Sequence, residues 1–598
     1  MRSRVNSIKN RKLNSHDSAT INALKISGLI IFFAGIGVLI ASLFLGEYVI
    51  SEQTLQQSAT KLSPSHLDAL KSLKGTSFTS KHALLQSVAD NIRSVDPGIR
   101  KYQLSVAQFW ILKNSVTGYL VDRTLFYLLM SLGLATAGAL LYIVPQFYEG
   151  LPGIKNNGIW FSSSMARGVI GITIGTLLIA FYVLLYWLPH YIINFIVLVE
   201  PVSQFIRKQP ADQWFFYGFL YTIVILVMGI RMLAKYRHSR YHIIRTLSVM
   251  FFQLGFAFLI PSLLERLSQP SMDFKNAWPL NYSFFADYSI SGMLSSGNLG
   301  VLMLVWGIVL SVVIVPSMTY FFGKRWYCSW VCGCGGLAET AGDPFRHLSD
   351  KSTFAWRVER WVVHSVLVFV VLMTTAVIYS YLGPDNSKYW LSKSQFLIGV
   401  GVLLTLVFAW VMAYRSGELK QDARYGAIGY LVIILGLIAF HYFSDSRHVF
   451  LFPSESLRKS YSFLIGSVFS GVIGTGFYPI FGNRVWCRFG CPMAAILGLQ
   501  QRLFSRFRIT TNGGQCISCG NCSTYCEMGI DVRAYAQKGA NIVRASCVGC
   551  GICSAVCPRG VLKLENGPLP GRINPREVLL GNDVDLMELV NRNSKGSA

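Results

Sequence analysis

Cys516-Ile517-Ser518-Cys519-Gly520-Asn521-Cys522-Ser523-Thr524-Tyr525-Cys526 is answered, twenty residues later, by Cys547-Val548-Gly549-Cys550-Gly551-Ile552-Cys553-Ser554-Ala555-Val556-Cys557-Pro558. Both runs read Cys-x2-Cys-x2-Cys-x3-Cys. Three thiolates at this spacing can wrap three corners of an iron–sulfur cubane, and the fourth corner takes a remote Cys. A pair of structural zinc sites is the competing reading. Zinc ribbons, however, show separated Cys-x2-Cys pairs rather than four-Cys runs. The spacing therefore favours two [4Fe-4S] clusters.

Over about residues 507–566 the segment resembles a bacterial 2[4Fe-4S] ferredoxin domain, an α+β fold. The resemblance implies exchange of the fourth ligand between the runs. One cluster would use Cys516, Cys519, Cys522 and Cys557, and the other Cys547, Cys550, Cys553 and Cys526. Glu527 departs from the pattern, because a proline often follows the fourth Cys, but no ligand is lost.

Upstream, the chain changes character. Over 598 residues it is 52% hydrophobic and 14% charged, with mean hydropathy +0.43, the balance of a polytopic membrane protein. Ten stretches are apolar enough to span a bilayer, near 26–46, 124–146, 167–188, 214–234, 244–264, 300–322, 361–381, 395–414, 425–443 and 461–481. The expected fold is mainly α, about ten transmembrane helices followed by the ferredoxin-like domain. Arg2, Arg4, Lys9, Arg11 and Lys12 precede the first stretch, which reads as an uncleaved anchor with the N-terminus inside. Alternation then places the basic loops at Arg231–Arg240, Lys324–Lys351 and Arg415–Arg424 inside, together with the C-terminus. All 13 cysteines lie at or after Cys328, in motifs, so a reducing compartment is expected on that side. The net charge of +25 could suggest nucleic acid, but it clusters beside apolar segments, so no nucleic-acid partner is expected.

The domain plan is a cytoplasmic N-terminus at 1–25, an anchor at 26–46, an extracytoplasmic helical segment at 47–123 and an N-terminal membrane region at 124–234. A duplicated membrane unit at 240–500, the ferredoxin domain at 507–566 and a tail at 567–598 complete it. In the external segment Ser63-Pro64 and Ser80-Lys81 read as helix starts. Ionisable residues are nearly absent from the spans, which disfavours an ion pump. His364 and His441 lie near opposite membrane faces and are expected to be packing residues rather than a shared haem site.

A shift of 159 residues lays Phe322-Gly323-Lys324-Arg325-Trp326-Tyr327-Cys328-Ser329-Trp330-Val331-Cys332 on Phe481-Gly482-Asn483-Arg484-Val485-Trp486-Cys487-Arg488-Phe489-Gly490-Cys491. Both copies read Phe-Gly-x-Arg-x-aromatic-Cys-x3-Cys at the inner end of a span. Paired repeats in membrane proteins commonly build a site at their interface. If each Cys-x3-Cys forms a helical turn, both sulfurs share one face, and Cys328, Cys332, Cys487 and Cys491 could together offer four thiolates. A further iron–sulfur cluster, zinc, a redox dithiol pair and plain interfacial cysteines all remain open. Cys334, six positions after Cys328, is expected to point elsewhere.

These motifs, followed by a two-cluster domain, resemble the NapH/NosR/CcoG-type membrane polyferredoxins over about residues 240–566. The second copy, with Cys491-Pro492, matches well; the first has Cys332-Gly333-Cys334 instead. Neither the flavin-bearing external domain of NosR-type proteins nor the external C-terminal domain of CcoG-type proteins has a counterpart. The resemblance implies a protein of the bacterial inner membrane passing electrons between a quinone pool or cytoplasmic donor and a redox partner protein. It would be a quinol dehydrogenase-like oxidoreductase component amid membrane lipid. A cupric reductase or oxidase-assembly factor is the first alternative, and a cluster-based sensor or scaffold the second.

Overall fold

A long apolar run can satisfy its backbone within a bilayer by closing its own hydrogen bonds as a helix, and most of this chain does so. The computed structural model describes residues 15–148, 153, 168–383, 391–444, 446, 448–567, 579–580 and 584–585. Most of the expected N-terminus (1–25) and tail (567–598) lies outside them. Among the described residues nine helices are long and apolar enough to cross a membrane. They are Ala19–Ser42, Thr124–Phe147, Val169–Trp187, Gln213–Lys235, Arg240–Arg266, Gly297–Phe322, Thr353–Tyr381, Lys393–Arg415 and Gln421–Ser444. The tenth expected stretch, 461–481, is divided. Its helix starts earlier, at Ser454–Tyr461, and continues in π-type turns over Ser462–Ile473. The chain then breaks before a single turn at Tyr478–Phe481. Glu455, Arg458 and Lys459 occupy the opening turns, which shortens the uncharged part.

The chain divides into two compact units, 1–152 with 180–238, and 153–179 with 239–598. In the first, the helix Ser15–Ser42 packs on Leu134–Ile143 through small residues. A Cβ on Gly35 would meet the Ala135 nitrogen at 2.5 Å, and one on Gly138 the Phe32 nitrogen at 2.4 Å. Such close backbone approach is the usual basis of helix association in lipid, where apolar burial gives little drive. The segment 47–123 forms helices Glu52–Ser58, Pro64–Leu70, Lys81–Val95 and Lys101–Ser115. Ser63 and Ser80 cap the second and third, as their sequences suggest. Around them Glu47–Val49 pairs antiparallel with both Ser77–Phe78 and Val116–Thr117. Strands of two or three residues leave no alternation to read, so this sheet has no signature in the sequence.

The second unit carries the duplicated corners and the cysteine-rich domain. Each span preceding a Cys-x3-Cys motif ends at a glycine with positive φ, +66° at Gly323 and +93° at Gly482. Side chains rarely adopt that conformation, and space forbids them too. A Cβ on Gly323 would meet Gln501 Oε1 at 2.5 Å, and one on Gly482 would meet Ser349 Oγ at 2.3 Å. The glycines thus turn the chain sharply from each span into its cysteines. Beyond them Arg508–Thr511 pairs antiparallel with Leu562–Glu565, and short helices Asn521–Thr524, Val532–Gln537 and Ile552–Ala555 complete a small α+β domain. Its halves repeat at 31 residues even in backbone: Ser518 and Gly549, Gly520 and Gly551, and Gly529 and Gly560 all have positive φ.

Candidate metal centres

The 31-residue repeat holds two cysteine loops in one conformation. Cys516, Cys519, Cys522 and Cys557 line a single concavity with Ile517, Pro558 and Leu562. Burial pushes the Cys522 thiol up to about 11, and Cys557, Cys519 and Cys516 reinforce that by repulsion. Cys547, Cys526 and Cys553 form the second group. Burial raises the Cys553 thiol well above its ordinary range, and Cys547 and Cys526 add to the effect. Cys550 Sγ lies within 4.8 Å of the Glu339 and Glu527 carboxylates. The first group thus joins three cysteines of one run to the last cysteine of the other, and the second joins Cys547 and Cys553 to Cys526.

A third group forms at the repeat. Cys328, Cys332, Cys487 and Cys491 are all buried in one apolar core with Cys522, Cys547 and Cys553. Burial raises the Cys491 thiol, and Cys487, Cys328 and Cys332 raise it further. The local geometry differs from a single helical turn. Cys328 ends the short helix Arg325–Cys328, and Cys332 is the N-cap of Gly333–Thr340. Cys491 likewise caps Pro492–Phe504, its Sγ accepting the Ala494 N–H at 3.4 Å. A helix N-terminus favours a thiolate. Because the helix restarts at Cys332, counting from Cys328 misplaces Cys334. It packs against the same apolar core that holds Cys328, Cys332, Cys487 and Cys491, so the expectation that it points elsewhere is corrected.

Buried charges bind this third group to the cysteine-rich domain. Glu339 forms ion pairs with Arg245 at 2.9 Å, Arg346 at 3.1 Å and Arg484 at 2.7 Å. Glu527 pairs with Arg346 at 2.6 Å and with Arg484 at 3.1 Å, and Asp343 adds a longer pair with Arg346 at 3.4 Å. Arg484 also donates to the Cys328 carbonyl and to Cys487 Sγ, while Arg245 donates to the Cys550 carbonyl. Three arginines balance three carboxylates, so the Glu339–Glu527–Cys550 cluster is an ion-pair network with no charge left for a metal cation. Sequence reasoning noticed Glu527 only as a departure and missed Glu339 and Arg245. A lone acid in the apolar helix Gly333–Thr340 was the available signal.

The loop of the second cysteine group rests on the first repeat copy. Ser329 Oγ donates to the Val548 carbonyl at 2.8 Å, and Tyr241 OH to the Gly549 carbonyl at 2.7 Å. Arg325, the repeat partner of Arg484, instead lies over the Phe507 ring at 4.7 Å. The two histidines are satisfied locally: His364 Nδ1 bonds the Arg360 carbonyl at 2.6 Å, and His441 Nε2 pairs with Tyr379 OH at 2.7 Å.

These groups have the donor chemistry of iron–sulfur sites, soft thiols gathered from separate stretches of the chain. Comparison with known families agrees. A 4Fe-4S dicluster domain model matches residues 515–562, and a 4Fe-4S binding domain model matches twice, at 304–352 and 464–510. Two kinds of 4Fe-4S domain on a chain of long apolar helices make it similar to polyferredoxin-like membrane proteins. Among curated proteins it is similar to YccM of Escherichia coli (strain K12), provisionally named an electron transport protein, at 25% identity over 244 residues. That match covers 41% of this chain and half of the relative. No solved structure matches.

Proposed function

We propose that the protein carries electrons between a soluble redox partner and the membrane quinone pool, using three cysteine-held centres on the cytoplasmic side of a bacterial inner membrane. Cys516, Cys519, Cys522 and Cys557 would hold one [4Fe-4S] cluster, and Cys547, Cys550, Cys553 and Cys526 a second. Cys328, Cys332, Cys487 and Cys491 would hold a third iron–sulfur centre. Such clusters supply one-electron steps, and the protein positions and tunes them.

The packing of the Cys547–Cys550 loop on the Cys328 motif carries this reading. The cysteine groups succeed one another from exposed Cys519 to the buried corners at the span ends. Glu339, Glu527 and the three arginines hold the last two groups in register. An open apolar groove beside the third group supports a quinone: Trp361, Val362, Ser365, Val366, Phe369 and Phe469 line it. Phe469 packs against Gly490, between Cys487 and Cys491.

Anaerobic titration of detergent-purified protein tests the proposal. Cluster absorbance should bleach with dithionite and recover with a quinone, and Trp361→Ala should slow that recovery. Bleached protein that no quinone re-oxidises would contradict the quinone half.

A further inference from the structure

Lys324 is among the largest fully buried side chains of the molecule, 1% exposed. It occupies the variable position of the Phe-Gly-x-Arg motif, where the second copy has Asn483. Its backbone is fixed on both sides. Its N–H donates to Gln501 Oε1 at 2.8 Å, and its carbonyl accepts the Cys328 N–H at 2.9 Å. Gln501 in turn donates to the Cys547 carbonyl at 2.8 Å. Lys324 therefore stands between the membrane cysteine group and the second group of the ferredoxin-like domain.

Among the described residues its ammonium has no carboxylate partner and no hydrogen-bond acceptor. The nearby acids are already engaged: Glu339 and Glu527 are taken by Arg245, Arg346 and Arg484. Asn483, the equivalent in the other copy, serves that same network by donating to Glu527. Burying an uncompensated ammonium is strongly unfavourable, and buried charges are paired or lie beside a metal site. The residues held against its backbone are cysteines, Cys328 directly and Cys547 through Gln501. A four-thiolate iron–sulfur centre is anionic, and one more electron makes it more so. It is the counter-charge this lysine lacks.

We propose that Lys324 is the counter-cation of an iron–sulfur centre held by Cys328, Cys332, Cys487 and Cys491, and that its charge raises that centre's reduction potential. This rests on the third centre proposed above. Reduction adds one electron from the neighbouring centre and moves no proton or bond. Lys324 acts through the cysteines as a tuning residue. The asymmetry of the repeat follows: one copy supplies an unbalanced cation, the other an amide committed to the ion-pair network.

The test is an anaerobic redox titration of the full-length, detergent-purified protein, followed by electron paramagnetic resonance and iron analysis. Lys324→Met removes the charge at similar volume, Lys324→Gln does so with a polar group, and Lys324→Arg keeps it. Met and Gln variants should lower the third centre's reduction equilibrium at least tenfold, about 59 mV for a one-electron couple. The signals removed by Cys526→Ser or Cys516→Ser should move less, and Lys324→Arg should stay near wild type. Loss of only the third centre's iron in Met and Gln variants, with Arg retaining it, also supports the proposal. A third centre present at unchanged potential in both neutral variants overturns it, as does zinc in place of iron. Iron content that does not respond to Cys328→Ser with Cys487→Ser overturns the third centre itself, a distinct failure. Unchanged ferredoxin-cluster signals report that the variants fold.

Discussion

Glu527 stands where a proline often follows the fourth cysteine of such a run, and its carboxylate closes a balanced set of buried charges. Arg346 and Arg484 both depend on it. Removing one partner from a buried pair typically costs about 3–5 kcal/mol, because the remaining charge is left unpaired. Glu527→Gln should therefore lower the thermal midpoint of the purified protein markedly and release cluster absorbance earlier in the melt. An unchanged midpoint would mean the network contributes no stability. A second residue-scale expectation concerns ligand exchange. Cys526 lies with Cys547 and Cys553, so Cys526→Ser with Cys547→Ser should abolish one ferredoxin paramagnetic signal and leave the other. Loss of both signals in folded protein would assign each run to its own cluster. At this scale the sequence was legible where chemistry is local. The cysteine runs announce themselves by spacing. Glu339 and Arg245 do not, because they pair across long stretches of chain, with Arg484 and Glu339 145 residues apart. Cys334 was misread because helical counting assumes an unbroken helix, and Cys332 begins a new one.

The corners between span and motif are the elements that set the third cysteine group. Gly323 and Gly482 are locked by positive φ and by neighbours inside contact distance. Alanine at either place combines a strained backbone, about 1–3 kcal/mol, with a clash that must move Gln501 and Phe507, or Ser349. Gly323→Ala and Gly482→Ala should each deplete the metal of the third group and leave the ferredoxin-like domain loaded, as iron analysis and paramagnetic resonance would show. Equal iron loss from all centres would point to general misfolding instead. Most spans were readable because twenty apolar residues leave little alternative to a helix. The stretch 461–481 was readable only in part: composition predicts a span, whereas the helix ends at Gly474 and begins earlier, in charged residues, at the other end. The short sheet around Glu47–Val49 had no periodicity to betray it.

For the whole molecule, the grouping of Cys328 and Cys332 with Cys487 and Cys491 constrains topology. Their spans, ending at Phe322 and Phe481, must reach the same membrane face. Three long helices lie between them, Thr353–Tyr381, Lys393–Arg415 and Gln421–Ser444. If all of these helices cross the membrane, the broken segment over 454–481 completes a fourth crossing, although its apolar part is short. With basic loops inside, a reporter fused after Ala598 should behave as cytoplasmic and one inserted near Ser80 as external. Both on one face would contradict the crossing at 454–481. The most direct measurement is anaerobic metal analysis of the full chain beside its Cys328→Ser, Cys487→Ser variant. Two ferredoxin-type clusters account for about eight irons. The wild type should hold more, and the variant should fall to about eight with both ferredoxin signals intact. About eight irons in both proteins would contradict a third iron–sulfur centre at the duplicated corners.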